Sequence, residues 1–148
     1  MEELKMFDVV YVDMTVDKIG SEQSGVRPAI IIQNNMGNRH SSTVLIMSLT
    51  TSIKKNYLPT HCIIKKSEEN GLTKNSMLLG ETLTQISKDR IESRIGSITD
   101  SEVQNQILNV YIANITGRKV YNPIWTTLLN KIFRLVKGEV TNEDGNAA

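Results

Sequence analysis

The sequence has little of what several chemistries require. Cys62 is its one cysteine in 148 residues, which excludes an internal disulfide and any multi-cysteine zinc site. Its two histidines, His40 and His61, leave little material for a histidine-built metal centre. No apolar run approaches the length of about 20 residues needed to cross a bilayer. The opening Met1-Glu2-Glu3-Leu4-Lys5 is acidic and has no apolar core, so it does not read as a secretory signal. These absences lead to the expectation of a cytoplasmic chain with no membrane partner. Excess charge is also missing. Lys and Arg number 17 against 16 Asp and Glu, a formal net charge of +1. A basic coat for nucleic acid is excluded, though a local basic groove is not.

What is present is ordinary globular composition, 39% apolar and 22% charged. A chain of this length is one domain and buries about two-thirds of its unfolded surface without staples. Short β-branched and aromatic runs read as strands at Val9–Val12, Pro28–Gln33, Thr43–Leu49, His61–Lys65 and Ser76–Leu79. The third is apolar on both faces and reads as central. Asn34-Asn35-Met36-Gly37-Asn38 between them is turn chemistry. Five short strands at close spacing predict a small, mostly antiparallel β-barrel.

After residue 86 the period changes. Ser87–Ile91 reads as one helical turn and Arg94–Ile98 as a short returning strand. Thr99-Asp100-Ser101-Glu102 has the form of a capping box, with Thr99 as N-cap. The helix it starts carries Val103, Ile107, Val110, Tyr111 and Asn114 at helical spacing, widened by Leu108, Ile112 and Ile115. Gly117 ends it. Residues 1–117 therefore read as one barrel domain with a helix. Residues 118–138 add an amphipathic helix, capped by Asn122 and Pro123, with Trp125, Leu128, Leu129, Ile132, Phe133 and Val136 on one face. Residues 139–148 read as a polar, disordered tail.

The informative stretch is Gly20-Ser21-Glu22-Gln23-Ser24-Gly25-Val26-Arg27-Pro28, between two predicted strands. It is not a nucleotide phosphate loop, because Gly25 is followed by Val-Arg and not by Lys-Ser/Thr. Together with Asp8-Val9-Val10-Tyr11, Ile32-Gln33-Asn34-Asn35, Asn38-Arg39, Leu49-Thr50 and Leu58-Pro59-Thr60-His61, it resembles the MazF/PemK family of toxin endoribonucleases, most closely the Gram-positive branch. The resemblance covers residues 8–65 strongly and continues more weakly to the helix after Thr99. It implies an SH3-like barrel, a homodimer, cleavage of single-stranded RNA at a short preferred sequence, and a cognate antitoxin that occludes the site. It implies no cofactor. It assigns catalysis to Arg27 and Thr50.

That assignment is chemically sound. RNA carries its own nucleophile, the 2′-hydroxyl beside the scissile phosphate. The protein has to orient it, stabilise a transition state richer in negative charge, and assist the leaving 5′-oxygen. The planar donor fork of Arg27 suits phosphate oxygens, and its high intrinsic basicity makes electrostatic stabilisation its main role. A hydroxyl at Thr50 can bond a non-bridging oxygen, and the neighbouring Thr51 is an alternative.

Further candidates for RNA contact are Glu22 and Gln23 on the loop, and Gln33, Asn34 and Asn38, whose amides suit the edges of splayed bases. The same three are also good turn formers. Arg39 and Lys54-Lys55 could track phosphates or be a solvated face. His61 reads as structural and Cys62 as a small buried hydrophobe. One departure stands out. Where the family branch often reads Leu-Glu-Gln-Ile-Arg, this chain reads Gly80-Glu81-Thr82-Leu83-Thr84. Thr82 falls on a groove-lining glutamine, so binding specificity is open. Two alternatives from other classes follow, a non-enzymatic toxin of the same fold that poisons gyrase and a degenerate RNA-binding module.

Overall fold

A computed structural model describes residues 3–15, 19, 20, 22, 24–54 and 58–117. Seven strands form one sheet: β1 (Asp8–Asp13), β2 (Val26–Ile31), β3 (Thr43–Thr50), β4 (His61–Ile64), β5 (Ser76–Leu79), β6 (Thr84–Ser87) and β7 (Ile91–Ser97). Two helices, α1 (Asn35–His40) and α2 (Ser101–Thr116), and 3-10 turns at Gly80–Thr82 and Lys88–Arg90 complete the described elements. The predicted helix over Pro123–Lys137 and the polar tail lie outside the described residues.

The expectation of a closed SH3-like barrel is corrected. The hydrogen-bonded order is β4-β5-β3-β2-β1-β7, with β6 pairing β3 off that path, and the two ends of the path, β4 and β7, do not pair. The physical reason lies in β3. One of its edges serves β2, and the other is divided between two partners. Thr43–Ile46 pair with β6, and Leu49–Thr50 pair with β5. The 3-10 turn at Gly80–Thr82 carries the chain from one partner to the other. The sheet therefore branches at its longest strand, and α2 packs beside β4.

Both faces of the central strands are apolar, and both are covered. Val9, Ile30, Met47, Leu49 and Leu78 pack with Ile107 and Val110 of α2. On the other face Val10, Val12, Ala29, Ile31, Val44 and Ile46 pack with Ile86 of β6, Ile91 of β7 and Leu4. Each fully buried Ile or Val contributes about 1.5–3 kcal/mol relative to exposure. The close seat of α2 depends on Gly80. A Cβ there would stand 2.8 Å from Val110 Cγ1 and 2.9 Å from the Thr60 carbonyl oxygen.

Local chemistry explains the boundaries. The N-cap of α2 is Asp100, one residue beyond Thr99; its carboxylate accepts from the Glu102 N–H at 2.8 Å. Gly117 ends α2 in the left-handed region, φ 66°. The predicted turn at Asn34–Asn38 is instead α1, because Asn34 caps it, its Oδ1 accepting from the Gly37 N–H. Asp8 begins β1 as a buried carboxylate. It accepts from the Lys5 N–H at 2.8 Å and pairs with Arg94 Nε of β7 at 3.0 Å.

Candidate functional site

The loop rich in glycine joins β1 to β2 and delivers Arg27 as the second residue of β2. Gly25 is in the left-handed region, φ 78°, and nothing crowds the place its Cβ would occupy, so the requirement is conformational. Its carbonyl accepts from Met14 N–H, closing the loop on the end of β1. Arg27 Nε donates to the Ser24 carbonyl at 2.6 Å. Among the described residues its remaining guanidinium N–H groups have no partner. Arg27 is half-buried and lies opposite Val12 of β1.

Thr50 is the last residue of β3. The β2–β3 register pairs Ile31 with Ile46, Ile30 with Met47 and Ala29 with Ser48. The pairing ends at Ala29 and Ser48, and Arg27 and Thr50 each lie two residues beyond it, on the strand face that Ala29 and Ser48 share. Ser52 N–H donates to Thr50 Oγ1 at 3.1 Å, which fixes the hydroxyl as acceptor and leaves its hydrogen to donate outward. Thr51, one residue beyond the end of β3, is exposed.

Thr82 lies beside this pair, in a structural position. Between its two partners on that edge, β3 leaves the N–H of Ser48 without a strand partner, and Ser48 is fully buried. That N–H donates to Thr82 Oγ1 at 2.9 Å, and the Thr82 hydroxyl donates onward to the Leu79 carbonyl at 2.7 Å. The hydroxyl therefore bridges the branch of the sheet.

The other candidates separate into two groups. Glu22 turns back on its own loop: its carboxylate accepts from the Ile19 N–H at 2.9 Å, and its N–H donates to the Ile19 carbonyl. Gln23 and Lys55 lie outside the described residues. Gln33 and Asn34 lie just past the far end of β2, about 20 Å from Arg27 at the rise of an extended strand, and Asn38 and Arg39 follow in α1. There Gln33 Nε2 donates to the Thr43 carbonyl, Asn34 caps α1, and buried Asn38 donates to the Gln33 carbonyl. Arg39 pairs with Glu3 at 2.9 Å. The structure thus ties Thr82 to Ser48, two residues before Thr50, and gathers the amide group around α1.

Sequence reading missed the partner of His61. Its Nε2 is 2.6 Å from Glu81 Oε1, with the histidine side chain 6% exposed and the glutamate 51%. Burial alone would raise the Glu81 carboxyl. The hydrogen bonds from His61, its own backbone N–H and Thr60, with the nearby imidazole, hold it below the usual carboxylate range. The pair sits two strands across the sheet from Thr50 and two residues along β4, since Thr50 aligns with Met77 and Met77 with Ile63. Cys62 beside it is mostly buried, and burial pushes its thiol up to about 12. Among the described residues no three His, Cys, Asp or Glu side chains are grouped to hold a metal ion, and no helix is long and apolar enough to cross a membrane.

Known proteins share this sequence and this fold. Residues 5–113 match the family of PemK-like, MazF-like toxins of type II toxin–antitoxin systems. Endoribonuclease MazF of Staphylococcus saprophyticus is 41% identical over 91 residues, 60% of this chain and 75% of that protein. Endoribonuclease EndoA of Bacillus subtilis is 38% identical over 97 residues, 66% of this chain and 82% of that protein. The fold is also that of a mycobacterial endoribonuclease solved with its cognate antitoxin, with a TM-score of 0.58 and 22% identity over 78% of this chain and 95% of the other. The chain belongs to the PemK-like, MazF-like toxins of type II toxin–antitoxin systems.

Proposed function

We propose that this MazF-like endoribonuclease cuts single-stranded RNA by transesterification, with no metal in the step. The 2′-oxygen bonds to phosphorus, the bond from phosphorus to the 5′-oxygen breaks, and the 2′-hydroxyl proton ends on the departing 5′-oxygen. The products carry a 2′,3′-cyclic phosphate and a 5′-hydroxyl. Arg27 and Thr50 perform this step. Arg27 directs its terminal N–H groups at the non-bridging oxygens, where charge accumulates, and the Thr50 hydroxyl donates to one of them. What supports the reading is a guanidinium pinned through Nε to the Ser24 carbonyl and a Thr50 hydroxyl oriented by the Ser52 N–H, each two residues beyond the Ala29–Ser48 pair that joins β2 to β3.

The functional unit in this reading is a homodimer, which lays two such ends along one groove for the RNA. A cognate antitoxin covers that groove. The mycobacterial endoribonuclease of the same fold was solved in complex with its cognate antitoxin, which supports an antitoxin partner.

The test is cleavage of one long RNA by variants at matched protein concentration, with end analysis of the products. Arg27→Ala is expected to lose at least about 100-fold in rate, the loss of about 3 kcal/mol of transition-state stabilisation. Arg27→Lys recovers only part, because a point charge lacks the fork. Thr50→Ala loses a similar or smaller amount, and Thr50→Ser regains part of it. EDTA changes nothing. Normal cutting by Arg27→Ala beside a dead His61→Ala would replace this mechanism with acid–base chemistry at the His61–Glu81 pair.

A further inference from the structure

The sheet face that carries Thr50 continues across two strands to an oriented carboxylate. Thr50 of β3 aligns with Met77 of β5, and Met77 aligns with Ile63 of β4. Aligned residues share a face, and so do residues two apart on one strand. Leu79 and its partner His61 therefore lie on that face as well. On a regular sheet His61 is about 12 Å from Thr50, two strands across and two residues along. The floor between them is apolar: Met77 is buried, and Leu79 and Ile63 are half-buried.

Glu81 stands at the edge of this floor with its backbone fixed. The Gly80 N–H donates to the Thr60 carbonyl at 2.8 Å, and the Leu83 N–H to the Gly80 carbonyl at 3.2 Å. Thr82 beside it is tied to Ser48 and Leu79. The carboxylate is held too. His61 Nε2 lies 2.6 Å from Glu81 Oε1, and the histidine side chain is buried. Against a carboxylate, which only accepts, Nε2 is the donor. Yet the Glu81 side chain is 51% exposed. The fold thus holds an anion in one orientation without enclosing it.

On a face that binds RNA, a carboxylate is selective by its chemistry. It repels phosphate oxygens and base carbonyls and bonds only N–H groups. The bases differ on this point. Cytosine, adenine and guanine each carry an exocyclic amine, whereas uracil presents carbonyl oxygens. A base lying on the apolar floor can turn an amine to the exposed side of the carboxylate, and a uracil carbonyl in that place would be repelled. We propose that Glu81, held by His61 as a positioning residue, reads a base flanking the cut, accepting from the exocyclic amine of cytosine, adenine or guanine and rejecting uracil. This role rests on RNA cleavage at Thr50 as proposed above. Holding the carboxylate in place before RNA arrives lowers the ordering cost of the contact.

The test gives one long RNA of mixed sequence to the native protein and its variants, and the cut ends are sequenced. Native cutting should show a flanking position at which uracil is disfavoured at least about fivefold, the lower end for one base contact. Glu81→Ala should erase the bias at that position and keep the bias at every other. Glu81→Gln keeps the shape and should reverse it: with His61 donating to its Oε1, the amide turns Nε2 outward as a donor, which suits a uracil carbonyl. His61→Leu, which leaves the carboxylate unheld, should weaken the bias at the same position. His61→Gln, whose Nε2 can replace the lost donor, should restore it. A brace that failed would instead slow the cutting of every RNA alike. Three outcomes overturn the role of Glu81: native cutting with no bias against uracil at any flanking position, an unchanged bias in both Glu81 variants, or a loss of rate equal on all RNAs. A native protein that cuts no RNA would overturn the cleavage reading itself, a result distinct from any of these.

Discussion

Thr82→Val tests whether the residue that departs from the family pattern is a structural bridge or a substrate contact. Valine keeps the shape and removes the hydroxyl. Two hydrogen bonds go with it, from the Ser48 N–H at 2.9 Å and to the Leu79 carbonyl at 2.7 Å. The first matters more. Ser48 is fully buried, and its N–H lies where β3 has left β6 and not yet reached β5, so nothing else on that edge can accept from it. An unsatisfied buried N–H costs about 1–3 kcal/mol, and the lost bond to the half-buried Leu79 adds about 0.5–1 kcal/mol. The expected destabilisation is about 2–3 kcal/mol. With a urea m-value of about 1.5 kcal/mol/M, the midpoint falls by about 1.5 M at unchanged slope.

Thr82→Ser keeps the hydroxyl and should recover most of that loss. Turnover per folded molecule should fall modestly, through a looser Thr50 two residues along the strand, while KM for a short RNA stays near that of the native enzyme. The assay is equilibrium urea unfolding of both variants beside initial-rate cleavage under conditions where each is fully folded. A Thr82→Val protein of native stability with a KM raised tenfold would refute the reasoning and make Thr82 a reader of RNA.

Three other expectations follow from the same structure. Asp8→Ala removes a buried carboxylate that anchors Arg94 and the Lys5 N–H, and should cost about 3 kcal/mol by urea unfolding; Asp8→Asn, which keeps an acceptor, should cost less. Cys62, with its thiol pushed up to about 12 by burial, should resist iodoacetamide at pH 8 in the native protein and react readily in urea; fast native alkylation would contradict the burial. The Glu81 carboxyl is held below its ordinary value of 4.5 in the fold, so its contribution to stability is present above that value and is lost as pH falls through the folded value. Thermal unfolding of Glu81→Gln from pH 6 downward should therefore be flatter than that of the native protein, and an unchanged acid limb would remove the pair from the account.

The strands were legible because their residues carry the signal locally. Val9–Val12, Thr43–Leu49 and Ser76–Leu79 are apolar on both faces, and the structure buries both. β6 was missed because Thr84–Ser87 is short and mostly polar, and it becomes a strand only by pairing with Thr43–Ile46 some forty residues away. The barrel expectation failed for a related reason: counting strands does not reveal that one edge of β3 is shared. The amides at Gln33, Asn34 and Asn38 illustrate the limit at the site. Their chemistry fits base edges and turns equally well, and the geometry around α1 engages all three in the turn. Arg27 and Thr50 enter the proposal through the resemblance, while the bridge from Thr82 to Ser48 spans 34 residues of sequence and leaves no local trace.

What distinguishes Arg27 from Arg39 and Arg94 is the kind of acceptor that holds it. Arg39 faces the Glu3 carboxylate and Arg94 the Asp8 carboxylate, so each cation is answered by an anion of the fold. Arg27 is held by a neutral carbonyl, that of Ser24. A carbonyl fixes direction without cancelling charge. It also restricts, before any RNA arrives, a side chain whose rotamer freedom is worth about 2 kcal/mol. The nearest acid along β1, Asp13, bonds instead to the N–H and hydroxyl of Thr15. Among the described residues the Arg27 guanidinium is thus oriented and paired with no carboxylate, on a side chain that β2 places and the loop carbonyl directs. Changes in the loop tip should alter which RNA is cut, and changes in the β2–β3 register should alter whether it is cut at all.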